Sequence, residues 1–97
     1  MSASIGYASG MSMAEEFEQA QVDVKKLPQR PSNDVLLRLY ALYKQGAQGD
    51  TSGNRPGAFD LVGRAKHDAW KALAGTTQAD AQQKYVALVR DLLSGSA

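Results

Sequence analysis

Cysteine is absent from this chain, and with it go a disulfide framework, a thiol nucleophile and any Cys-based zinc or iron–sulfur site. An excess of charge is missing too. Eleven Lys and Arg offset ten Asp and Glu, a net charge of +1, which leaves no global field for nucleic acid or an anionic membrane. Any anionic ligand must therefore be met by a local cluster. No stretch approaches the roughly 20 apolar residues that span a bilayer, so stable membrane insertion is not expected. No charge at all occurs from Met1 to Met13, and this segment lacks the cationic and continuous apolar regions of a secretory signal. We read it as a flexible leader and expect the chain to work in the cytoplasm.

What is present fits one small domain. The 97 residues are 43% hydrophobic and 22% charged, an ordinary globular composition whose length excludes a second core. Without staples such a domain is held by packing alone, which favours a bundle of helices. The domain is expected over 14–93, with 94–97 as a frayed tail.

Apolar spacing places four helices. The first, about Ala14 to Leu27, carries Phe17, Ala20, Val24 and Leu27 on one stripe, with Glu15, Glu16 and Glu18 where the helix dipole favours anions. Pro28 and Pro31 bracket the break that follows. Ser32 is the expected N-cap of a second helix reaching Gly46 or Gln48. That helix has two stripes, Val35, Leu39 and Leu42, and Leu36, Tyr40, Tyr43 and Ala47, so it is expected to be covered on more than one side. Gly46 to Asp60 reads as a long turn-rich connection. The third helix, about Gly63 to Leu73, sets Val62, Ala65, Ala69, Trp70 and Leu73 on one face and stops at Gly75. Thr77 and Asp80 resemble a capping box for the fourth, whose Ala81, Tyr85, Leu88 and Leu92 form its stripe. Nothing alternates as a strand would, and no repeat shows. The fold class is all-α.

Enzyme readings find little purchase. The one histidine, His67, and its neighbour Asp68 point to different sides of a helix, which is poor geometry for a dyad. No HExxH, GxSxG or P-loop run occurs, so no catalytic residue and no metal site is assigned. The cluster that stands out is Tyr40, Tyr43 and Lys44, at i, i+3 and i+4 on one helix face. Two phenol rings and an ammonium can stack on a flat aromatic ligand and meet a phosphate. The same residues also suit the rim of a core. Lys66, one turn before Trp70, and Tyr85 are the further residues that matter if they converge with them.

The run from Leu39 through Tyr40, Tyr43-Lys44-Gln45 and Gly49-Asp50 resembles the acyl-CoA-binding protein family, whose pattern is YxxYKQxxxGD. It is followed by an RPG loop, Arg55-Pro56-Gly57, and by Gly63-Arg64-Ala65-Lys66-His67-Asp68-Ala69-Trp70, similar to the family's GKAKWDAW helix. The ordered matches extend from about Phe17 to Leu92. The resemblance implies an up-down-down-up four-helix bundle that binds medium- to long-chain acyl-CoA esters without a covalent bond and carries or buffers them in the cytosol; separately, no cofactor is expected, and a monomer is the default. The resemblance also implies that Tyr40, Lys44 and Lys66 surround the adenine and the ribose 3′-phosphate, with Tyr43 beside them. Lys25 and Tyr85 would supply the remaining head-group contacts, and Phe17, Ala20, Val24, Leu36 and Leu37 would line the acyl groove or pack beneath it. Against the pattern, His67 stands where many members have a second tryptophan, and Val62 where a basic residue is common. Gly46 replaces Ala, Ser or Thr and predicts an earlier end or fraying of the second helix. A helical module that keeps the fold but binds a protein partner is the alternative.

Overall fold

Ser12 opens the first helix with a reciprocal cap: its hydroxyl accepts from the Glu15 amide at 3.2 Å, and the Glu15 carboxylate accepts from the Ser12 amide at 2.9 Å. The structure, a computed structural model, describes residues 10–95. Helix α1 spans Met13–Asp23, α2 Asn33–Gln48, α3 Leu61–Lys71 and α4 Gln78–Ser94, and no strand occurs among the described residues. Of the expected leader, residues 1–9 lie outside the described part, whereas Ser12 and Met13 belong to the start of α1. At the other end α4 closes on Gly95 in the left-handed conformation, and 96–97 lie outside.

Most helix ends follow the local chemistry. α1 stops at Asp23 and tightens into a 3-10 turn, Val24–Lys26, because Pro28 drives Leu27 into extended backbone at ψ 133°. Ser32 and Thr77 cap α2 and α4 as their positions predict, accepting from the amides of Val35 and Asp80. α3 begins two residues earlier than its periodicity suggests. Asp60 is its cap, accepting from the Gly63 amide at 2.9 Å, so Leu61 and Val62 are helical but stand out in solvent.

Gly46 corrects the expectation of an early end. α2 continues to Gln48, and Gly46 is buried at the crossing of α2 with α1 and α4. A Cβ there would lie 3.1 Å from the Phe17 ring and 3.0 Å from Gln82 Cγ, so the missing side chain lets three helices approach. The Gly46 carbonyl, in the last turn of α2, is bonded across helices. Gln82 donates to it at 2.9 Å and Gln78 at 3.3 Å, tying the end of α2 to the start of α4.

These contacts fix the directions of the helices. α2 and α4 are antiparallel, since the end of one meets the start of the other. α2 and α3 are parallel: Lys66 lies over Tyr40, and one turn further along both helices Lys44 lies over Trp70. α1 runs with α4 because it is antiparallel to α2: Phe17 near its start meets Gly46 near the end of α2, while Val24 just past its end shares a cleft with Leu36 near the start of α2. The bundle is therefore up-down-down-up.

Phe17 and Ala20 of α1, Leu39 and Leu42 of α2, and Tyr85, Val86 and Val89 of α4 form the core. α3 contributes no buried residue. It is held on the outside of α2 by directed bonds, and this is what leaves clefts beside it. Trp70 Nε1 donates to the Gly49 carbonyl at 2.9 Å, and Arg55 grips the Asp68 carboxylate with two bonds of 2.9 and 2.7 Å. That fork holds the Asp68 carboxyl below its ordinary range.

Behind them sits Gln45, 0% exposed, whose amide donates to Asp50 and to the Thr76 carbonyl, both at 2.7 Å. The same Asp50 oxygen accepts from the Gly75 amide at 3.0 Å, so one carboxylate joins the end of α2 to the α3–α4 turn. Hydrogen bonds from Gln45 first and Gly75 second lower the Asp50 pKa. A carboxyl whose folded pKa is depressed stabilises the fold above its unfolded pKa, about 4, and loses that contribution as pH falls through the lower folded value. Asp50→Asn keeps a neutral acceptor but not the charge. Its melting temperature is expected to fall below that of the parent near pH 7, and thermal melts should show the gap closing below about pH 4. A gap independent of pH would contradict this role.

Candidate functional site

Parallel helices of equal pitch bring matched turns together, and here the matching is chemical. α2 carries an aromatic then a cation at i and i+4, Tyr40 and Lys44; α3 carries a cation then an aromatic at the same spacing, Lys66 and Trp70. Lys66 Nζ lies 5.3 Å from the centre of the Tyr40 ring, and Lys44 Nζ lies 5.0 Å from that of Trp70. Each pair stabilises by about 0.5–1 kcal/mol at an exposed site. More usefully, each holds an ammonium in place without neutralising it. The ion pairs among the described residues are Lys26 with Asp23, Arg55 with Asp68 and Arg90 with Glu16, so Lys44 and Lys66 keep their charge available to an anion.

Running from this ladder toward the start of both helices is a groove of about 650 Å³ between α2 and α3. Leu36, Leu37, Leu61, Val62 and Ala65 form its apolar surface, Tyr40 and Lys66 close one end, and Arg30 and Asn33 stand at the other. A second cleft of about 310 Å³ lies on the other side of Leu36 and Tyr40, lined also by Val24, Leu27, Leu39, Tyr43 and Tyr85. Leu36 and Tyr40 are thus a ridge shared by both.

Under the second cleft three rings pack together. Phe17 stacks on Tyr43 at 6.0 Å between centroids and meets Tyr85 edge-on at 5.3 Å, while Tyr43 and Tyr85 lie 6.4 Å apart. Burial first, and the neighbouring Tyr43 second, push the Tyr85 phenol above its ordinary pKa. This ring stays a neutral phenol at physiological pH.

The structure therefore brings Tyr40, Lys44 and Lys66 to one place and sets Tyr43 and Tyr85 around the adjoining cleft. Val24, Leu36 and Leu37 line cleft or groove. Phe17 and Ala20 line neither; both are buried in the core, where Phe17 packs against the Tyr43 and Tyr85 rings of the second cleft. Lys25 is exposed on the 3-10 turn, next in sequence to Val24, and lines neither hollow. Arg30, Asn33, Leu61 and Ala65 are groove residues that sequence reasoning passed over. Arg30 sits in the Pro28–Pro31 break and Leu61 ahead of the predicted helix, where periodicity carries no information. His67 is half-buried, and its neighbour Asp68 is engaged by Arg55.

An apolar trough ending in two unneutralised ammonium groups and two ring faces defines a class: a small helical bundle that takes an elongated ligand with an anionic, aromatic head and a hydrocarbon tail. The comparisons with known proteins give the same class a family. Residues 14–89 match the family model described as Acyl CoA binding protein. Acyl-CoA-binding protein homolog 1 of Caenorhabditis elegans is 50% identical over 82 residues, covering 84% of this chain and 95% of that protein. The acyl-CoA-binding protein of Saccharomyces cerevisiae is 46% identical over 78 residues, covering 80% and 90%. The crystal structure of Oryza sativa Acyl-CoA-Binding Protein 2 superposes with a TM-score of 0.83 at 41% identity, over 88% of this chain and 94% of that one. This chain belongs to the acyl-CoA-binding protein family.

Proposed function

We propose that the chain binds medium- to long-chain acyl-CoA esters non-covalently and acts as a carrier and pool former for them in the cytoplasm. The observation that carries this reading is the crossed ladder of Tyr40, Lys44, Lys66 and Trp70 at the head of an apolar groove. Tyr40 offers a face for adenine, and Lys44 and Lys66 offer their ammonium groups to the ribose 3′-phosphate. Tyr43 and Tyr85 flank the head-group side from the adjoining cleft, and Lys25, exposed on the 3-10 turn beside Val24, is the further cation assigned to the head group by the family motif. The tail follows Leu36 and Leu37, with Val24 at the adjoining cleft and Phe17 and Ala20 supporting the ridge from below. The binding unit is the bundle expected over 14–93, with its first and last helices capped at Ser12 and Gly95, acting as a monomer.

Magnitudes agree with a non-covalent mode. Sheltering ten methylenes contributes about 8 kcal/mol before immobilisation costs, at about 0.8 kcal/mol each. Stacking adenine on a ring adds about 1–3 kcal/mol, by analogy with base stacking. On this reading the ester is carried intact, and relatives that are themselves named acyl-CoA-binding proteins support a binder over an enzyme. The two free ammonium groups also favour this reading over a module that has kept the fold and lost the ligand. Among the described residues no helix is long and apolar enough to cross a membrane.

Trp70 is the one tryptophan in the chain, and Lys44 rests on its ring, so it reports directly on the head of the site. Titration with palmitoyl-CoA is expected to change Trp70 emission saturably, at one ligand per chain and in the sub-micromolar to micromolar range. No saturable change would count against the assigned position of the head group.

A further inference from the structure

Three of the six large hydrophobic side chains exposed among the described residues fall within four consecutive positions: Phe59, fully exposed, Leu61 at 75% and Val62 at 66%. Scattered apolar residues on a surface need no explanation, but a cluster at the rim of a lipid-sized groove does. The cluster forms the turn that enters α3, and Leu61 and Val62 pass directly into the groove wall. Cations accompany it. Arg30 and Lys66 line the same groove and have no ion-pair partner among the described residues. The one acid within the cluster, Asp60, has its carboxylate turned back onto the Gly63 amide as the α3 cap.

We propose that this turn is a docking tip for an anionic phospholipid bilayer, with Phe59, Leu61 and Val62 entering the interface and Arg30 and Lys66 meeting the head groups. Charge complementarity favours that occupant, and so does size. A stable protein interface takes about 800 Å² from each partner, more than three side chains on a projecting turn can supply, whereas shallow insertion among lipids requires no matching surface. Docked in this way, the mouth of the groove faces the bilayer, where an acyl chain could pass between lipid and groove. That purpose rests on the proposed function; the docking itself requires no ligand.

The test uses the ligand-free chain with vesicles of phosphatidylcholine alone or with 30% phosphatidylserine, read by co-sedimentation. Reversible binding is expected, stronger on the anionic vesicles and weakened by salt. Phe59→Asp is expected to lower it by about tenfold or more, since the transfer of one phenylalanine ring is at stake. Phe59 lines neither hollow, so the variant should keep the parent melting temperature and the Trp70 titration with palmitoyl-CoA. No vesicle binding by the parent, or equal binding by Phe59→Asp, would overturn the proposal. So would a concentration-dependent dimer that Phe59→Asp abolishes, which would assign the tip to a second copy of the chain. Tip-dependent vesicle binding without any response to palmitoyl-CoA would sink the carrier reading and leave the docking tip standing.

Discussion

Phe17→Ala is expected to lower the unfolding free energy by about 3–5 kcal/mol, the range for deleting a buried ring. For a domain of this size that lowers the melting temperature by at least about 12 °C. The large effect follows from where the ring sits. Phe17 is buried in a T-shaped contact with Tyr85 and stacked on Tyr43, and its tip approaches the space a side chain at Gly46 would occupy. One side chain therefore joins α1 to both α2 and α4, and its loss leaves a cavity at their shared crossing. Phe17→Leu, which refills most of the volume, should recover a large part of the difference. Thermal melts followed by circular dichroism are sufficient to check both. A loss below about 1 kcal/mol for Phe17→Ala would mean that α1 is not anchored through this ring.

Lys66→Ala should leave the fold nearly unchanged, since its contact with Tyr40 contributes about 0.5–1 kcal/mol, yet weaken palmitoyl-CoA binding by about 10- to 100-fold. The asymmetry arises because the ammonium is held over a ring and not paired with a carboxylate. A charge-assisted bond to phosphate contributes about 1.5–3 kcal/mol, all of which is available to the ligand. The loss should be selective. Against the 3′-dephospho ester, parent and variant are expected to differ by less than about threefold, because the anion proposed as the partner of Lys66 is already gone. Equal losses on the two esters, read by calorimetry, would move Lys66 away from the 3′-phosphate.

Much of this architecture could be read in the residues, for reasons specific to each element. α1, α2 and α4 bury a stripe against one another, so their apolar spacing marks them, and Ser32 and Thr77 mark two starts by the chemistry of the cap. α3 buries nothing fully, which is why periodicity places its start two residues late: Leu61 and Val62 are helical without being packed. Ser12 carries no such signal because it lies in the uncharged N-terminal stretch, ahead of any helical pattern.

Gly46 departs from its local signal for a different reason. Helix propensity is a local quantity, and it argues for an end where a tertiary crossing requires the smallest side chain. The Gln45–Asp50–Gly75 junction likewise depends on a partner 25 or more positions away and leaves no trace in spacing. The site divides along the same line. Tyr40, Lys44 and Lys66 follow from helical register and the family motif. The groove they head is an unfilled space, and its far residues, Arg30 and Leu61, lie where no periodicity reaches.

Isothermal titration of the chain with palmitoyl-CoA, with CoA and with palmitate separately tests the joined head-and-tail site most directly. One site per chain is expected, filled by palmitoyl-CoA at sub-micromolar concentration and at least about 100-fold more tightly than by either half alone, since the groove and the lysines each contribute several kcal/mol. Binding of CoA as tight as that of its palmitoyl ester, or no saturable heat at micromolar concentrations, would contradict it.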